Sequence, residues 1–144
     1  MASDNDGKEK PLTAKTLADE LYSHTIDKCL SFKCPKRDRW LMPARLADYA
    51  LTVTSLIAEA NDTSLKPGPG IRLNYEHRHQ CQIEAHGLLS RMENMLEQAV
   101  RKYDYRPSEM RYWSSLISRT KQLLTRWMKS DDTRFLELTR ELDE

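Results

Sequence analysis

The chain has 144 residues, 39% hydrophobic and 31% charged, with a formal net charge of +1. That length suits one domain burying about two-thirds of the surface of its unfolded chain, and no apolar run approaches the roughly 20 residues that a membrane-spanning helix needs. Three cysteines behind an N-terminus with no apolar leader lead to the expectation of reduced thiols in a soluble, cytoplasmic protein.

Helix-forming residues dominate, and no Val/Ile/Thr run alternates with a period of two, so the fold class is all-α. Residues 1–12 are polar around Pro11 and are expected to form a disordered leader. A first helix over about 13–31 is predicted from Thr13 as N-cap and an apolar stripe at Leu17, Leu21, Tyr22, Thr25 and Ile26. It stops in a basic, proline-punctuated bend at 32–46. Pro43 suits the first position of a second helix, over about 43–61, and steers Met42 before it away from αR. Leu46, Ala50, Val53, Ile57 and Ala60 step by four and three, as one wall of a bundle does.

Pro67, Gly68, Pro69 and Gly70 break the chain, and a third helix is predicted over about 71–105. Its stripe is Ala85, Leu88, Met92, Met95 and Ala99, widened by Leu89, Leu96, Val100 and Tyr103. Gly87 costs it up to about 1 kcal/mol unless a close contact or a kink uses the missing side chain. After Pro107, Ser108 is read as the cap of a fourth helix, over about 108–129, with Trp113, Leu116, Thr120, Leu123 and Trp127 facing inward. Residues 131–144 hold six acids against two cations and are read as a partly ordered acidic tail. Short connections between helices of this length make an antiparallel up-down four-helix bundle the most economical architecture.

Charge is uneven along the chain: residues 71–130 carry eleven basic and six acidic groups. The densest cluster is the bend, where Lys28, Lys33, Lys36, Arg37, Arg39 and Arg45 face one acid, Asp38. Cations at a helix start oppose the macrodipole, so such a cluster is natural where it meets an anion. Phosphate contacts need only exposed Lys and Arg and are salt-sensitive. For Arg39 and Arg45 a structural role, tying the bend to neighbouring helix ends, stands beside the binding one. Arg78, Arg91, Arg101 and Lys102 supply a second, looser stripe.

The bend Pro35-Lys36-x-x-Arg39-Trp40, the following Arg45-Leu46 and the ending Leu56-Ile57-Ala58-Glu59-Ala60-Asn61 resemble a small four-helix-bundle family. It contains the accessory variability determinant (Avd) proteins of diversity-generating retroelements and the proteins encoded in large-subunit rRNA intervening sequences. Family members tend to show an aromatic residue before the proline, where this chain has Cys34 and carries the aromatic at Phe32. The resemblance implies a homopentameric barrel that binds a reverse transcriptase and its template RNA or cDNA and supports mutagenic reverse transcription without catalysing it. The alternative is a protein-only interaction module whose cations meet an acidic partner.

Cys29, Cys34, Cys81, His77, His79 and His86 are all of metal-ligating type. Glu76-x-x-His79 has the spacing of di-iron bundles but no second copy, and a zinc set of Cys29, Cys34, His77 and Cys81 would need the bend folded onto the third helix. Neither a phosphate-binding loop nor a nucleophile elbow is present. No catalytic residue, metal or cofactor is expected.

Overall fold

A computed structural model describes residues 13–143, with side chains through Arg140; the expected leader lies outside the described residues. Four helices follow one another: α1 (Ala14–Leu30), α2 (Pro43–Asp62), α3 (Ile71–Lys102) and α4 (Pro107–Asp143), and no strand occurs among the described residues. Each packs on its neighbour in sequence, and α4 closes the bundle against α1. None is long and apolar enough to cross a membrane.

Local chemistry sets the starts. Thr13 caps α1 through a reciprocal pair: its hydroxyl accepts from the Thr16 N–H at 3.1 Å, and its own N–H donates to Thr16 Oγ1 at 2.9 Å. Pro43 opens α2 as expected, but Met42 takes an α-type conformation, φ −119° and ψ −68°, despite the proline after it. The bend is wound tightly enough to impose this, with the Met42 N–H on Asp38 O at 3.2 Å and the Ala44 N–H on Arg39 O at 3.0 Å. The cap of α4 also differs from expectation. Glu109, not Ser108, closes that end by accepting from the Arg106 N–H at 2.9 Å. α3 stops at Lys102, short of 105, because Asp104 turns left-handed at φ 56°.

The core runs the length of the bundle through Leu17, Leu21, Leu46, Ile57, Leu89, Met92, Leu96, Trp113, Leu116, Ile117 and Leu124, all essentially solvent-free. Each such aliphatic side chain contributes about 1.5–3 kcal/mol relative to leaving it in water. On α3 the centre of the seam is Leu89 and Leu96, while Leu88 and Met95 sit half-buried at its edge. Trp113 is fully buried, and its indole N–H is satisfied by Thr25 Oγ1 at 2.9 Å.

The largest departure from the sequence reading is the length of α4, which does not stop near 129 but continues to Asp143. Asp131 faces inward rather than forming part of a solvated tail: it receives Arg78 Nε at 2.6 Å, Arg78 Nη2 at 2.9 Å and Gln82 Nε2 at 2.9 Å. Phe135 stacks on Tyr75 with ring centroids 4.1 Å apart. α3 and α4 therefore run on as a helical pair beyond the start of α1. At 1.5 Å per residue the 37 residues of α4 span about 55 Å.

Candidate nucleic-acid interface

The bend between α1 and α2 is held from beneath. Phe32 is buried, edge-on to Tyr103 and Trp113 and tilted against Tyr105. Arg39 turns back under the chain and donates to Phe32 O at 3.1 Å and to Cys29 O, so it caps the carbonyl end of α1. Of the two roles open to Arg39, the structure shows the structural one. Tyr103 donates to Asp38 Oδ2 at 2.9 Å, and the Cys29 thiol donates to Pro43 O at 3.0 Å. Lys33 is also engaged: its ammonium donates to Asp104 O at 3.0 Å and lies 4.7 Å from the Tyr105 ring centre. These ties join the bend to the α3–α4 connection and fix its shape.

What remains exposed on this frame is basic. Lys36 and Arg45 point outward with no ion pair or side-chain hydrogen bond within the described residues, and Arg37, 87% exposed, has only Asp38 at 3.7 Å. Because α3 runs antiparallel to α2, Arg101 and Lys102 in its last turn come to the same end of the molecule, also exposed. Trp40 lies along the same bend as Lys36, Arg37 and Arg45 with 66% of its surface in solvent, beside the exposed Leu41. Indole and cations on one surface suit a polyanion that also offers flat rings, since base stacking on an aromatic is worth about 1–3 kcal/mol per base.

The second set divides. Arg91 is exposed about 15 Å along α3 from Arg101, at 1.5 Å per residue. Arg78 is not a surface cation: beyond Asp131 it donates to Thr63 O at 3.0 Å, and its guanidinium lies 4.9 Å from the Trp127 ring centre. It is removed from the candidate interface, together with Arg39 and the ammonium of Lys33. Between α3 and α4 a polar groove holds His86, Lys121, Arg126 and Lys129, where Glu93 binds Lys121 at 2.6 Å and Ser118 at 3.1 Å. The half-buried Glu93 is what the sequence did not announce there.

Burial pushes the thiols of Cys29 and Cys81 up to about 11, so neither is a thiolate at neutral pH. Cys29 and Cys34 lie at the bend, at the opposite end of the bundle from His77 and Cys81, so the four-residue zinc set does not assemble. A different trio does: Glu59, His77 and Cys81 bring their donor atoms within 4.8 Å of one another. No family model, curated protein or solved structure matches this chain.

Proposed function

We propose that this chain is a non-enzymatic accessory protein that binds the phosphate backbone of RNA or cDNA through the basic end of its bundle. In line with its resemblance to the Avd proteins, it does so as a homopentamer holding a reverse transcriptase on its template. One observation carries the reading: Lys36, Arg37, Trp40 and Arg45 are all exposed on one bend, which Arg39 and Asp38 tie to the helices beneath it. A surface preorganised in this way contributes charge and a stacking plane at little conformational cost. Arg101, Lys102 and Arg91 extend it along α3, and the exposed Leu30, Trp40 and Leu41 provide apolar area for protein contacts at the same end.

Single-stranded RNA binding measured across salt concentrations tests this. The log of affinity should fall linearly with log salt, and Lys36→Ala/Arg37→Ala/Arg45→Ala should flatten the slope by about 2, at roughly 0.7 for each phosphate no longer neutralised. Affinity that ignores salt, or a slope untouched by the triple variant, defeats the phosphate reading. An intact oligomer with no nucleic-acid affinity would instead favour the protein-only module, and a monomer by native mass measurement would remove the pentamer.

A further inference from the structure

We propose that Glu59, His77 and Cys81 form a zinc site joining the last turn of α2 to the N-terminal half of α3. His77 and Cys81, four residues apart, share one face of α3, and Glu59 reaches them from α2. His77 Nε2 is 2.7 Å from Glu59 Oε2, Cys81 Sγ is 3.4 Å from that oxygen, and Cys81 Sγ is 3.9 Å from His77 Nε2. A tetrahedral zinc, with Zn–S near 2.3 Å and Zn–N and Zn–O near 2.0–2.1 Å, spaces its donors about 3.3–3.6 Å apart. The triangle already present is close to that spacing, and small rotations of the exposed Glu59 and His77 side chains suffice to open it.

The donor set selects the metal. Thiolate, imidazole and carboxylate together suit zinc and leave magnesium and calcium poorly served, because those ions take oxygen ligands. Cys81 is 4% exposed, and its sulfur has no polar neighbours within bonding distance among the described residues beyond these two side chains. Glu59 and His77 are about half exposed, 54% and 52%, so the ion has access from solvent and a fourth position for water. Binding releases the thiol proton and leaves the imidazole neutral with its proton on Nδ1. Thiolate and carboxylate then balance the two charges of the ion, and a metal clasp replaces the present hydrogen bonds.

The site lies at the opposite end of α2 from Pro43, about 24 Å away at 1.5 Å per residue. It therefore stands or falls independently of the nucleic-acid reading. The test uses the full chain stripped with chelator and titrated with Co2+ as a spectroscopic probe. One equivalent should give the visible bands of tetrahedral cobalt and a near-ultraviolet thiolate charge-transfer band. That band should vanish in Cys81→Ser and persist in Cys34→Ser. Cys81 is buried and its replacement can disturb folding, so the exposed ligands provide independent variants. His77→Gln and Glu59→Gln should each weaken binding by about 100-fold or more, given that even outer-shell partners are worth 10–100-fold. Zinc should displace the cobalt and, at 100-fold excess over its Kd, raise Tm by about 5–10 °C. An octahedral cobalt spectrum, or affinity unchanged in His77→Gln and Glu59→Gln, overturns the site.

Discussion

Arg39 and Lys36 are three residues apart on the same bend, and their side chains do opposite things. Arg39 is spent on the carbonyls of Cys29 and Phe32, whereas Lys36 is left to solvent. The separating factor is local: a helix end presents unpaired C=O groups, and a planar guanidinium nearby can satisfy two at once. Arg78 is the stronger case, because its partner Asp131 is buried and would otherwise be an uncompensated charge. Arg78→Met should therefore destabilise the fold by about 3–5 kcal/mol, well beyond the worth of a surface pair. Adding Asp131→Leu removes the stranded charge and should restore about half of that stability or more. Urea melts of the two variants check this; equal stabilities for the single and double variants would mean that the pair carries no buried charge penalty. Sequence alone left Arg39 open between two roles and placed Arg78 in a cationic stripe. The carbonyls and carboxylate that decide both lie 7, 10 and 53 residues away along the chain.

At the scale of helices the heptad stripes and the prolines are legible in the sequence, since each reports a local constraint: Thr13 and Pro43 start helices at the positions their chemistry predicts. The end of α4 is not legible. Asp131 and Asp132 look like the start of an acidic tail until Arg78, Gln82 and Tyr75 are brought alongside, and only the register of α3 against α4 does that. The Glu59–His77–Cys81 trio is half legible for the same reason: the i, i+4 pair is visible in sequence, but its third member comes from the facing helix. Gly87 resolves in the other direction. A close helix contact is one of two uses the sequence allows for its missing side chain, yet it is exposed and an added Cβ would meet nothing within 4 Å. Its effect is then entropic, and Gly87→Ala should stabilise the protein by about 0.5–1 kcal/mol. Thermal melts would detect that gain. A lower melting temperature would mean that the position serves flexibility or an approach by another chain.

For the whole molecule, the continuation of α4 separates two charges that the sequence placed only in order along the chain. The basic bend sits at the N-terminal end of α4, and Asp131, Asp132 and Glu137 sit towards its far end, about 35–45 Å away by helix rise. Screening over about 8 Å at physiological salt makes such a separation electrostatically large. Within one chain, then, these three acids do not mask the cations at 36, 37 and 45. Neutralising the exposed acid among them with Glu137→Gln should change RNA affinity by less than about twofold at 0.15 M salt. The same variant at lower salt should show a somewhat larger effect, because the Debye length grows to about 30 Å at 0.01 M. A large gain in affinity at physiological salt would have a different meaning: the acidic end of one copy would be lying against the basic end of another. Binding titrations at the two salt concentrations, paired with native mass measurement, separate a property of the single bundle from one created by its assembly.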